Sequence, residues 1–244
     1  MKENYIYGKN PVIEALKSGK DIDKIYVLKT MNDKRIFSLA KDAGIVITKT
    51  DDHKLEAMAG TKSHQGVVAM VTDFSYSTIE EILKSAKDKG EDPFVIILDQ
   101  VEDTHNLGAI IRTAVCAGAH GVVIPKRRSA IINQTVYKTS AGAVEYMKVA
   151  KVTNIGQCLD QLKEEGLWIY GADMEGSENY FDANMTGPIG LVIGGEDKGI
   201  TDHIGKKCDV LVKIPMTGKI SSLNASTSAA ILIYDIIRQR AKKI

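Results

Sequence analysis

The stretch Phe94-Val-Ile-Ile-Leu98-Asp-Gln-Val-Glu-Asp-Thr-His-Asn106-Leu-Gly-Ala-Ile-Ile-Arg112-Thr113 decides the fold. Its first five residues are apolar without a break, which marks a strand buried on both faces, as in a parallel sheet. Polar residues follow at once, and then Leu107, Ile110 and Ile111 recur at helical spacing. Strand, polar turn and helix in that order is the repeating unit of an open α/β sheet. The same pattern returns downstream in Val122-Val-Ile124, Leu167-Trp-Ile-Tyr170, Ile189-Gly-Leu-Val-Ile193 and Val210-Leu-Val-Lys-Ile214, with helical segments between most of these runs. The expectation is a parallel sheet covered by helices, with ligands at the carboxyl ends of its strands.

Upstream, helix and strand signals alternate on a smaller scale. Asn10 caps and Pro11 opens a helix whose apolar side is Val12, Ile13, Ala15 and Leu16, and Gly19 ends it. Strands are predicted at 25–28, 45–47 and 66–71, and helices at 32–43 and 52–59. Residues 1–72 thus read as a compact α/β domain. Residues 73–92 are polar, with one amphipathic segment around Ile79, Ile82 and Leu83, and read as a linker carrying an exposed helix. The second domain spans 93–244.

Composition narrows the function classes. The chain has 244 residues, 44% hydrophobic and 26% charged, as in ordinary globular proteins. Lys and Arg number 32 against 31 Asp and Glu, so a nucleic-acid partner would have to meet a local basic patch rather than a basic whole. The three cysteines, Cys116, Cys158 and Cys208, are far apart, and the five histidines show no ligand spacing, so no metal is expected. No signal-like run opens the chain, and no stretch approaches the roughly 18 apolar residues of a membrane span. The expectation is a cytoplasmic protein with no membrane partner. G-x-G-x-x-G, P-loop, G-x-S-x-G and H-E-x-x-H patterns are absent, which removes the common nucleotide, hydrolase and zinc-protease readings.

Three polar clusters fall at strand ends. After the strand at 94–98, Asn106 can cap a helix starting at Leu107, and Arg112 falls on a different face from the apolar residues. Such an arginine needs an acceptor, either a structural carboxylate or a ligand phosphate. After 189–193 comes Gly194-Gly195-Glu196-Asp-Lys-Gly199, where adjacent glycines permit a tight turn and close backbone approach. After 210–214 comes Pro215-Met216-Thr-Gly-Lys-Ile-Ser-Ser222-Leu223-Asn224-Ala-Ser226, leading into a long helix that is apolar almost all round. Ser222, Asn224 and Ser226 can cap that helix, and the helix is expected to be buried in the core or against another subunit. Alone, the first reads more readily as a capped helix with a structural ion pair, the second equally as an ordinary turn, and the third is richer in small polar groups than capping explains. Together they make a composite site.

On these residues the chain resembles the SpoU/TrmH-type RNA 2′-O-ribose methyltransferases of the SPOUT superfamily. Asn106 to Arg112-Thr113, Gly194-Gly-Glu196-x-x-Gly199, and Ile214-Pro-Met216 with Ser222-Leu-Asn224-Ala-Ser226 look like the three motifs of that family in order and spacing. Tyr7-Gly-Lys-Asn-Pro-Val-Ile-Glu-Ala-Leu16 extends the resemblance to nearly the whole chain. That beginning and the run Ala119 to Arg128 look most like the subgroup that modifies a guanosine of bacterial 23S rRNA. Thr104, where proline is common, and Asp197, where small residues are frequent, depart from the pattern.

The resemblance implies a trefoil-knotted SPOUT domain with a parallel sheet, preceded by a small ribosomal-protein-like domain that binds the RNA substrate. It implies S-adenosyl-L-methionine held by Gly194, Gly195, Ile214, Met216, Ser222 and Leu223. It makes Arg112 catalytic, with Asn106, Glu196, Ser222 and Asn224 around the ribose and the donor. It also implies a homodimer with the C-terminal helix at the interface. Free guanidinium stays protonated at neutral pH, so Arg112 clamping a phosphate that takes the proton is easier to defend than Arg112 as a base. His105, Lys126, Arg127 and Arg128 are candidate RNA contacts, in 23S rRNA or an assembling ribosomal particle. The alternatives are a tRNA 2′-O-methyltransferase, a non-catalytic RNA-binding factor and a small-molecule methyltransferase. The last leaves the first domain and the 126–128 cluster without a role.

Overall fold

The computed structural model describes residues 4–20, 22–71, 74–196, 199–219 and 222–241. The chain forms two compact units, Met1–Ser75 with Ile131–Gln134, and Tyr76–Ala130 with Thr135–Ile244.

The first unit runs β1 (Asn4–Tyr7), α1 (Lys9–Lys17), β2 (Ile22–Leu28), α2 (Lys34–Asp42), β3 (Val46–Thr50), α3 (Asp52–Ala59) and β4 (Val67–Val71). Its sheet order is β1-β4-β2-β3. β4 is antiparallel to both neighbours, and β2 is parallel to β3. Val12, Ile25, Val27, Ile36 and Val67 fill the core beneath α1 and α2. Asn10 does not cap α1. The helix begins two residues earlier, at Lys9, with Gly8 as its cap at φ 91°. The Gln65 side-chain oxygen accepts from the Lys9 N–H at 2.9 Å, so a distant loop replaces the expected local cap. Pro11 falls in the first turn, where a missing N–H costs nothing.

The second unit adds α4 (Ile79–Lys89), β5 (Phe94–Asp99), α5 (Thr104–Cys116), β6 (Gly121–Pro125), α6 (Gln134–Thr139), a 3₁₀ turn (Ala143–Tyr146), β7 (Val149–Val152) and α7 (Ile155–Glu164). It continues with β8 (Trp168–Ala172), β9 (Glu178–Asn179), β10 (Ile189–Gly194), α8 (Asp202–Gly205), β11 (Val210–Lys213) and α9 (Ala225–Ala241). The strand order is β7-β6-β5-β10-β8-β11-β9, and every neighbouring pair is parallel. Every residue of the two central strands, β5 and β10, is buried, as their unbroken apolar runs require.

α4 differs from the exposed linker helix read from the sequence. Thr78 and Glu81 form a reciprocal capping box at its start. Ile79, Ile82 and Ala86 are buried, and the two isoleucines pack in the core with Val95, Ile97 and Val123. The apolar stripe legible in the sequence is thus a buried face of the second unit and not the side of an exposed linker helix. Gly121 at the start of β6 makes room for it, because a Cβ there would lie 2.5 Å from Ile82 Cδ1.

At the other end, α9 closes the unit with a polar latch. Asp235 is buried and accepts from Arg238 Nε at 2.7 Å and Gln239 Nε2 at 2.8 Å. Arg240 donates to the carbonyls of Asp92, Pro93 and Gly187, just before β5 and β10, and lies over the Phe94 ring. Lys242 and Lys243, beyond this latch, lie outside the described residues.

Candidate functional site

The site grows from the carboxyl ends of β5 and β10. Asp99 closes β5 with a buried carboxylate, and its Oδ2 accepts from both Thr201 N and Thr201 Oγ1 at 2.8 Å. This anchors the segment beyond β10 against the end of β5. Asp103, not Asn106, caps α5 by accepting from the His105 N–H at 2.9 Å. That backbone N–H, above all, holds the Asp103 carboxyl below its ordinary range. Asn106 lies inside the first turn and is buried, which frees its side chain for another partner. The Asn106 Nδ2 donates to Glu196 Oε1 at 2.5 Å.

Glu196 stands at the bend after β10. Gly194 and Gly195 make that bend possible by close approach to the chain's own backbone. A Cβ on Gly194 would lie 2.0 Å from Gly199 C, and one on Gly195 would lie 2.4 Å from Gln100 O. The Gly195 N–H bonds Asp99 O and the Gly199 N–H bonds Gly195 O, both at 2.9 Å, which closes the turn. Asp197, one of the two departures from the family pattern, lies outside the described residues, as does Ser221.

Asn224 brings in the third cluster. Its Oδ1 accepts from Ser226 N, Ser226 Oγ and Thr227 N, so it caps α9 as the sequence allowed. Its Nδ2 reaches away from the helix and donates to Glu196 Oε1 at 2.6 Å. One carboxylate oxygen therefore receives an amide from the first turn of α5 and an amide from the cap of α9. The three sequence clusters meet at this atom.

Two clefts flank it. The first, of about 750 Å³ including its open mouth, is lined by Gly194, Gly195, Glu196, Ile214, Met216, Ser222 and Leu223, among others. Ile193, Val212, Ile214 and Leu223 give it apolar walls, and Asp173, Glu196, Ser222 and Ser228 give it polar groups. That mixture suits a flat heterocycle carrying a polar, cationic tail, and the residues present fit S-adenosylmethionine. The second cleft is lined by Gln100, Val101, Glu102, Asp103, Asn106 and Arg128, and shares Gly195, Glu196 and Gly199 with the first.

The structure does not gather every expected residue. Arg112 is exposed on α5, lines neither cleft and has no hydrogen bond or ion pair with a described residue. His105 is exposed and, among the described residues, its side chain meets Asp103 alone. Lys126 and Arg127 are exposed outside both clefts, whereas Arg128 lines the second. Sequence reading missed Gln100, Asp173 and Ser228. Only Asp99, a carboxylate ending a fully apolar strand, carried a signal that could have marked the β5 end as special.

Comparison with known proteins shows the family. Residues 93–234 match the model of the SpoU rRNA Methylase family. Residues 5–77 match a model described as RNA 2′-O ribose methyltransferase substrate binding. YacO of Bacillus subtilis (strain 168), assigned to the TrmH family of tRNA/rRNA methyltransferases, is 44% identical over 98% of this chain and 97% of its own. A Staphylococcus haemolyticus protein assigned to the same family is 39% identical over 98% and 97%. The SpoU methyltransferase AviRb from Streptomyces viridochromogenes, solved in complex with AdoMet, superposes with a TM-score of 0.63 at 25% identity, covering 98% of this chain and 91% of AviRb.

Proposed function

The chain belongs to the SpoU rRNA methylase family and is an S-adenosylmethionine-dependent RNA methyltransferase, and from that premise we propose that it methylates a ribose 2′-hydroxyl, that of a guanosine in 23S rRNA. The observation that carries this reading is the Glu196 carboxylate, which receives Asn106 and Asn224 where the two clefts meet. The cofactor would be held in the first cleft by the apolar side chains of Ile214, Met216 and Leu223, the Gly194-Gly195 turn and Ser222. When bound, it supplies a sulfonium methyl whose leaving group is already activated. The acceptor ribose belongs in the second cleft, across Glu196 from the donor.

The residues then have to align and to manage one proton. Glu196 fixes the two asparagine amides, so Asn106, Asn224 and Ser222 present defined polar atoms to the ribose. Arg112 holds an RNA phosphate, whose oxygen takes the hydroxyl proton. Its exposed position means that this contact forms only once RNA or a second protomer arrives. Residues 5–77 grip the RNA, aided by Lys126, Arg127 and Arg128, with His105 at the rim.

We assign a homodimer through α9, on which Ala230, Ile231, Tyr234 and Ile237 form an incompletely covered strip. Tyr234 is 51% exposed. The C-terminal part of the second unit is read as a deep trefoil knot, and the protein as cytoplasmic. A second reading, methylation of tRNA, is favoured by one solved relative, a TrmH/SpoU tRNA modifying enzyme of A. aeolicus, 28% identical over 66% of this chain. Transfer of labelled methyl to unmodified 23S rRNA and tRNA transcripts separates the two. Label as 2′-O-methylguanosine in rRNA alone is expected, and label in tRNA alone overturns the rRNA reading while keeping the chemistry.

A further inference from the structure

Gln100 and Arg128 are both non-glycine residues with left-handed backbone, at φ 62° and φ 53°, and both line the second cleft. Left-handed backbone strains a residue that carries a Cβ, and strain of this kind persists only where the surroundings over-determine it. The loop carrying Arg128 meets that condition. It is fastened at one end by Lys126 N donating to Val152 O, and at the other by Ala130 N donating to Val101 O, both at 2.8 Å. The second bond ties the loop directly to the segment following β5. Arg128 is thereby held at the cleft, exposed, with no hydrogen bond or ion pair to a described residue.

The chemistry of the cleft gives that guanidinium a task. Glu102, Asp103 and Glu196 also line it. Asp103 is occupied with His105, and Glu196 with the two asparagines. Three carboxylates repel a phosphodiester, yet an RNA ribose cannot enter without the phosphates on either side of it. A cation inside the cleft is needed to reverse that repulsion, and among its described lining residues Arg128 is the one that can. We propose that Arg128 is the clamp for a phosphate flanking the acceptor ribose, holding it by paired, charge-assisted hydrogen bonds. This inference rests on the RNA ribose methylation proposed above. It gives the acceptor cleft its own phosphate anchor, distinct from Arg112 on the outer face of α5.

The decisive variant is Arg128→Gly, because glycine adopts a positive φ without strain and removes only the side chain. Kinetics on unmodified 23S rRNA and tRNA transcripts across a salt series should show kcat/KM lowered on the order of 100-fold. The salt dependence of RNA binding should lose about one unit of slope. Affinity for S-adenosylmethionine and Tm should not fall, and the identity of the methylated nucleoside should stay the same. Arg128→Lys should restore the salt slope and only part of the rate, since a point charge cannot form the paired geometry. An unchanged slope in Arg128→Gly means that Arg128 only balances Glu102, and overturns the clamp. A changed nucleoside identity means that it reads a base, and overturns it equally. If wild type methylates neither transcript, the parent reading fails and the clamp with it; an active wild type with an unaffected Arg128→Gly overturns the clamp alone.

Discussion

At the residue scale the account turns on Glu196. Replacing it by alanine leaves the Asn106 and Asn224 amides without their acceptor, at a cost of about 1–3 kcal/mol. Thermal unfolding should register this as a Tm lowered by roughly 2–4 °C for each kcal/mol. Methyl transfer should fall on the order of 10²-fold or more, as when a preorganised polar group is removed from a reaction centre. Gly195→Ala tests the turn beneath it. Its Cβ would lie 2.4 Å from Gln100 O, so backbone must move, costing about 1–3 kcal/mol and weakening cofactor affinity measured by calorimetry. The sequence marked Asn106, Glu196 and Asn224 as site candidates, but not how they meet. Asp103 and Asn106 are both good caps three residues apart, and local pattern favours neither. The choice is made by Glu196, 90 residues away, which takes the Asn106 amide and leaves the cap to Asp103.

At the element scale, β5 and β10 were legible because burial on both faces writes itself as an unbroken apolar run. β9, two residues long, has no such signature. The latch at the end of α9 was illegible for a different reason, since the partners of Arg240 are backbone carbonyls that any residue could supply. Arg240→Ala should destabilise the second unit by about 2 kcal/mol in chemical denaturation, because three charge-assisted bonds to backbone carbonyls and the contact over the Phe94 ring are lost together. Arg240→Lys should recover little, lacking the planar spread to reach three acceptors. The same region holds a pH-sensitive group. His120 Nδ1 accepts from the Phe94 N–H at 3.1 Å, and Nε2 faces Glu91 Oε2 at 3.0 Å. Burial lowers its pKa despite the Glu91 bond, from an ordinary value of 6.5. The unfolded chain therefore takes up a proton that the folded chain refuses, and stability falls as pH drops below that ordinary value. Melting curves between pH 7.5 and 5.5 should show this decline, and His120→Asn should flatten it while lowering stability at pH 7.5.

At the scale of the whole molecule, the order of elements, the parallel sheet and the separate first unit could be read from hydrophobic pattern. The meeting of three clusters at one oxygen could not, because strand order is a matter of tertiary pairing: β10 inserts between β5 and β8. The apolar strip on α9 makes the subunit arrangement testable. Light scattering should give twice 26.6 kDa for wild type, and Tyr234→Glu, which places a charge in that strip, should give the monomer mass. The central claim, that the Glu196 junction serves transfer to a ribose oxygen, is tested most directly by the chemical form of the product. RNA methylated with labelled S-adenosylmethionine is hydrolysed completely in alkali, which cleaves only next to a free 2′-hydroxyl. Label retained in alkali-resistant dinucleotides, and lost with Glu196→Ala, is the expected result; label released as mononucleotides would place the methyl on a base and contradict the account.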